Sequence, residues 1–85
     1  MTCKIHILKI SPLYYKAVDT GVKTFEIRVN DRDFKIGDIL ILNEYDDDTS
    51  DYSGRFMIFT IGYILHGVLG MDNNLCCMSL NNRYH

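Results

Sequence analysis

An α+β fold, a small mixed or antiparallel sheet curling into a barrel, is what the sequence predicts, and three observations carry it. Only one segment, early in the chain, has helical start and stop signals. It is followed by about four strand-like runs joined by short polar turns, which leaves no room for repeated βαβ units. The chain has 85 residues, enough for one core and no more.

Cys3 to Ile10 reads as the first strand. Its apolar residues fall on both faces, which suits a central strand or the lining of a barrel. Ser11-Pro12 then gives an N-cap and a first-turn proline, where the missing N–H costs nothing. Leu13 with Ala17, and Tyr14 with Val18, form an apolar stripe at i and i+4. Gly21 supplies a left-handed end, so the helix spans Ser11–Thr20. From Lys23 to Val29 the pattern alternates. Phe25, Ile27 and Val29 face one way; Thr24, Glu26 and Arg28 face the other. Asn30 to Asp33 is a polar loop, and Lys35-Ile36-Gly37-Asp38 a tight turn built on Gly37. Ile39 to Tyr45 is a third strand, and Asp46 to Gly54 a hairpin tip. Phe56 to Leu65 is a long fourth strand with Met57, Phe59, Ile61 and Tyr63 on one face. After a Gly-rich loop from His66 to Asn74, Leu75 to Leu80 closes the sheet. Residues 1–80 form the domain, and 81–85 read as a frayed tail.

The formal net charge of −2 offers no global attraction to nucleic acid or anionic membrane, so any phosphate must be gripped by a local cluster. No apolar stretch approaches the roughly 20 residues that cross a bilayer, and the opening residues lack the apolar run of a leader. Three cysteines, two of them adjacent, argue for reduced thiols used as small apolar groups, and hence for a cytoplasmic protein. Their spacing fits no zinc pattern, and no phosphate-binding glycine loop is present. Neither metal nor cofactor is expected.

The segment Gly21-Val22-Lys23-Thr24-Phe25-Glu26-Ile27-Arg28 concentrates the chemistry. Glu26 and Arg28 share a strand face. Strict alternation would set Lys23 on the other, so the three converge only if Lys23 lies in the turn that Gly21 permits. A lysine, a carboxylate and a guanidinium in one cleft can grip and orient a phosphate or carbonyl. The same residues also fit a solvated strand face with a Glu–Arg pair worth little. His6 is either a base or ligand contact in the cleft or a hydrogen-bonded core residue, and Arg32 is a second cationic arm beside Arg28. Tyr14, Tyr15, Tyr45, Tyr52 and Tyr63 offer stacking surfaces for bases.

The pattern Gly-x-Lys-x-x-Glu-x-Arg, set between an early helix and the second strand, resembles the signature of ASCH domains, small members of the PUA-like superfamily. The likeness extends through His6-Ile7-Leu8-Lys9-Ile10, Phe25 to Phe34, Lys35-Ile36-Gly37-Asp38-Ile39-Leu40, Gly54-Arg55 and Tyr63-Ile64-Leu65. It is similar to the short ASCH-like subfamily of unknown function found in bacteria and their phages. The resemblance implies a partly closed mixed β-barrel with one short helix after the first strand. It also implies binding of RNA or a nucleotide-like ligand, with Lys23, Glu26 and Arg28 lining the cleft and Gly21 as the turn. An enzyme branch deacetylates a modified cytidine with a hydroxyl nucleophile three positions after the lysine. Here that position is Glu26, and Thr24 has its hydroxyl at the wrong offset. The rival readings are a hydrolase on RNA or a modified nucleoside, with Lys23 and Glu26 as catalytic residues, and a protein-interaction module of phage or prophage origin.

Overall fold

Ser11 is extended, its Oγ accepts from the Tyr14 N–H at 3.4 Å, and Pro12 follows at the first helical position. That start produces α1 (Pro12–Asp19), which Thr20 caps with bonds to the Lys16 and Val18 carbonyls. The computed structural model describes residues 3–85; the expectation of no leader falls partly on Met1 and Thr2, outside them. The helix buries Tyr15 and Val18, while Leu13 and Tyr14 are exposed. The expected stripe is thus rotated, because the i, i+3 pair Tyr15–Val18 is the one that meets the sheet.

The described chain also forms five strands: β1 (Ile5–Ile10), β2 (Phe25–Val29), β3 (Ile39–Asp46), β4 (Asp51–His66) and β5 (Leu75–Asn81). Their order is β1-β3-β4-β5-β2, with β1 parallel to β3 and every other pair antiparallel. The sheet is therefore mixed and curls into a half-barrel. β1 is an edge strand, not a central one, which leaves the outward Ile5 and Ile7 in solvent. Across the open seam lies the other edge, β2. No backbone ladder joins β1 to β2. Instead, the Arg28 guanidinium donates to the Lys9 carbonyl and Arg32 Nη1 to the Ile7 carbonyl at 3.1 Å.

Inside the curl, Leu40, Leu42, Met57, Ile61, Cys76 and Met78 are fully buried. Each large aliphatic among them contributes roughly 1.5–3 kcal/mol relative to exposure. Burial of the Cys76 thiol pushes its pKa up, consistent with an apolar structural role. β4 keeps Met57, Phe59 and Ile61 inward but turns Tyr63 out, because its register with β5 shifts between Ile61 and Ile64. Gly62 sits at that shift. A Cβ there would collide with the Asn81 side chain as it lies, so any larger residue would have to push that side chain aside.

Two further expectations are corrected. The hairpin tip is shorter than predicted, since β3 and β4 pair out to Asp46 and Asp51 and only residues 47–50 turn. The tail is not frayed. Tyr84 N–H donates to the Ile58 carbonyl at 2.8 Å, Ile58 N–H to the His85 carbonyl at 3.1 Å, and the His85 ring stacks on Phe56. Arg83 adds an ion pair with Asp19 at 2.8 Å. Beyond the end of β5 the chain thus continues along the free side of β4. Among the described residues no helix is long and apolar enough to cross a membrane.

Candidate functional site

β2 presents its polar face to the interior. Glu26 is only 4% exposed and Arg28 half-buried, whereas Phe25, Ile27 and Val29 look outward. The ladder with β5 explains the choice: Glu26 and Arg28 pair with Met78 and Cys76, whose side chains are in the core. The solvated strand face considered from the sequence is therefore not what forms.

Lys23 reaches Glu26 because it is not part of β2. Gly21, at φ 81°, turns the chain, and the Lys23 N–H closes onto the Ala17 carbonyl at 2.9 Å. From there Lys23 Nζ donates to Glu26 Oε1 at 2.7 Å and to the Phe25 carbonyl at 2.7 Å. Arg28 Nε donates to Glu26 Oε2 at 2.9 Å. One carboxylate thus carries a cation on each oxygen. The two cationic side chains are 17% and 25% exposed, so this is a largely desolvated triad rather than a surface pair.

The triad forms one side of a cleft of about 680 Å³ at the top of the seam. Tyr14, Val22, Phe25, Ile27 and Ile10 give it apolar walls, and Ser11 contributes the residue that caps α1. Lys23 Nζ lies 5.1 Å from the Tyr14 ring centroid and 5.0 Å from that of Phe25, within cation–π range of both. Lys9 lends its backbone, since its carbonyl holds Arg28 while its own ammonium lies over the Tyr45 ring.

Counting donors shows what such a cleft can take. An ammonium has three protons, and Lys23 has placed two. Arg28 has used Nε and Nη2, and Nη1 has no partner among the described residues. Each Glu26 oxygen has accepted one bond and both cations keep spare donors, so the cleft suits an acceptor-rich group beside a flat apolar one.

The other residues singled out from the sequence lie elsewhere. His6 is on the inner face of β1 but at the opposite end from Ile10, and does not line the cleft. It is buried, its Nε2–H donating to Asp38 Oδ2 at 2.8 Å and its ring packed 4.6 Å from that of Phe34. Arg32 is exposed on the loop after β2, farther down the seam. Gly37, also at positive φ, turns the chain into β3 next to Asp38. Of the tyrosines, Tyr14 borders the cleft, while Tyr15 is in the core beneath Arg55. Among the described residues no group of three or more His, Cys, Asp or Glu side chains is placed to hold a metal ion.

Sequence reasoning missed the apolar walls and a second ionic knot. Alternation puts Phe25 and Ile27 on one strand face without saying that it lines a cleft, and nothing in the pattern marks Val22 as a wall. Glu44 is buried, with Arg55 gripping it through two bonds of 2.9 and 2.8 Å and stacking over Tyr15. Arg55 holds the Glu44 carboxyl below the usual carboxylate range. A lone Glu inside the β3 apolar run was the available signal.

A comparison with curated proteins returns no match. Residues 5–80 match the family described as Domain of unknown function (DUF3850), and by that match, which takes in the whole cleft and all of the sheet but Asn81, the chain belongs to that family.

Proposed function

We propose that the cleft binds a nucleotide unit of RNA, and that the chain is an ASCH-like member of the PUA-like superfamily. The convergence of Lys23 and Arg28 on Glu26, beside an apolar wall, is the observation that carries the reading. A base suits Tyr14, Phe25 and Ile27, and a phosphate suits the unspent donors of Lys23 and Arg28. In this reading Glu26 is a positioning residue. It fixes both cations in place before the ligand arrives, so less side-chain freedom is lost on binding.

The hydrolase alternative gives Lys23 and Glu26 the chemistry. Each Glu26 oxygen already accepts a charge-assisted hydrogen bond, and Lys23 Nζ is committed to two acceptors. That arrangement favours a fixed anchor over a proton carrier.

Calorimetric titration with uridine 5′-monophosphate and short single-stranded RNA tests the proposal. Lys23→Ala and Arg28→Ala each remove a charge-assisted donor worth roughly 1.5–3 kcal/mol. Each is expected to weaken binding by about 10- to 100-fold. Unchanged affinity in both variants would remove the cleft from the account. Product analysis of the same samples would reveal turnover if the hydrolase reading were correct.

A further inference from the structure

Arg32 has no place in the cleft, yet it is built into the seam in the same way as Arg28. Each guanidinium crosses from the β2 side to a β1 carbonyl: Arg28 to Lys9 and Arg32 to Ile7. Those carbonyls are two residues apart and point from the same edge of β1. The strand rise separates them by about 6–7 Å. Successive phosphates of an extended single strand are separated by a similar step. Arg32 commits one nitrogen, Nη1; its Nε and Nη2 have no partner among the described residues. In the loop that carries Arg32, the Asp33 carboxylate is already paired with both Lys4 and Lys35, at 3.3 and 3.2 Å.

We infer that the ligand is a single-stranded polynucleotide rather than a free nucleotide, lying along the β1–β2 seam with consecutive phosphates on Arg28 and Arg32. This rests on the nucleotide reading of the cleft. A neutral carbonyl is a weaker acceptor for a guanidinium than a phosphate oxygen, so each arginine can turn its free edge to the strand. The aromatic walls are confined to the cleft, while the strands below it carry exposed Ile5, Ile7 and Val29. One base is held at the top, and the gain from added length comes from phosphate contact. An extended acidic peptide has carboxylates at a comparable spacing. The aromatic walls at the head of the seam favour a base.

The test is a length series on the intact chain: uridine 5′-monophosphate, then the uridylate di- and tetranucleotide, as RNA and as DNA. The tetranucleotide should bind about tenfold more tightly than the monophosphate. Its affinity should fall with salt with a logarithmic slope of about −1.4, as two contacts on a single strand require. In Arg32→Ala the ratio of the two affinities should collapse towards one and the slope should halve, while Arg32→Lys should keep part of both. The ratio is taken within each variant, so a general loss of folded protein cancels. RNA exceeding DNA would assign the strand to RNA; equal gains would assign it to either. Equal affinity of the wild type for monophosphate and tetranucleotide would overturn the seam proposal and leave the cleft reading standing. So would a length gain that survives Arg32→Ala. Binding of no nucleotide at any length would instead overturn the cleft reading, and this inference with it. An Arg32-dependent gain for a tetrapeptide with aspartates two apart, absent for oligonucleotides, would transfer the seam to a polypeptide.

Discussion

Asp38→Ala should cost about 3–4 kcal/mol, among the largest losses any single polar substitution produces in this protein. Asp38 ties the start of β1 to the turn before β3. Its Oδ1 accepts from the Lys4 N–H at 3.0 Å, and its Oδ2 from His6 Nε2 at 2.8 Å and the Lys35 N–H at 3.0 Å. Three bonds to one buried carboxylate vanish together, and His6 is left buried without a partner. Against a total stability of roughly 5–15 kcal/mol, that is a large fraction. The melting temperature should drop by roughly 15–20 °C. Asp38→Asn should lose less, because its amide oxygen still accepts. A melting temperature within a few degrees of wild type for Asp38→Ala would contradict the description of this knot.

The same residue sets part of the acid stability. Burial is the largest single influence on the Asp38 carboxyl and pushes its pKa up. The hydrogen bonds from His6 and from the Lys4 and Lys35 backbone together outweigh it, so the net shift is downward. A carboxylate depressed in the folded state stabilises the fold above its unfolded pKa of about 3.9. That contribution disappears as pH falls through the lower folded value. Asp38→Asn should therefore flatten the stability curve in that acid window, leaving the slope due to Glu44 and Asp33, whose carboxyls are lowered by hydrogen bonds from Arg55 and from Lys35 and Lys4.

Glu26→Ala is the second large effect. It leaves Lys23 and Arg28, both mostly buried, facing each other with no anion between them. Breaking a buried pair by removing one partner costs about 3–5 kcal/mol. Here about 2–3 kcal/mol is expected, since both long side chains can swing towards solvent at the cleft. Urea unfolding should show a lower midpoint with an unchanged slope. Removing all three charges with Lys23→Met, Glu26→Leu and Arg28→Met should recover most of the loss while abolishing ligand binding, which separates stability from recognition. If Glu26→Ala stayed within 0.5 kcal/mol or so of wild type, as surface substitutions do, Glu26 would not be the anchor described.

What could be read from the sequence, and what could not, follows from the period of a strand. Alternation told that Glu26 and Arg28 share a face, and Gly21 told how Lys23 could join them. It did not tell which face is inside, since a period of two is symmetric between them. The interior position of Glu26 and Arg28 depends on the pairing of β2 with β5, a partner some fifty residues away. For the same reason alternation alone does not mark Phe25 and Ile27 as cleft walls. The sequence leaves His6 open between a cleft contact and a hydrogen-bonded core residue; the end of β1 it occupies puts it on Asp38. The early helix was visible because its cap and proline are local signals. The tail was misread because its partners, Ile58, Phe56 and Asp19, are all distant in sequence.

Amide chemical-shift mapping of a uridylate tetranucleotide on the isotope-labelled chain tests the central claim most directly. Perturbations should centre on Tyr14, Val22, Lys23, Phe25 and Arg28 and extend to Ile7 and Arg32. The buried pair His6–Asp38 and the β3–β4 hairpin tip should be unaffected. Perturbations confined to the hairpin tip or to the Tyr63 side of β4, with the cleft silent, would contradict it.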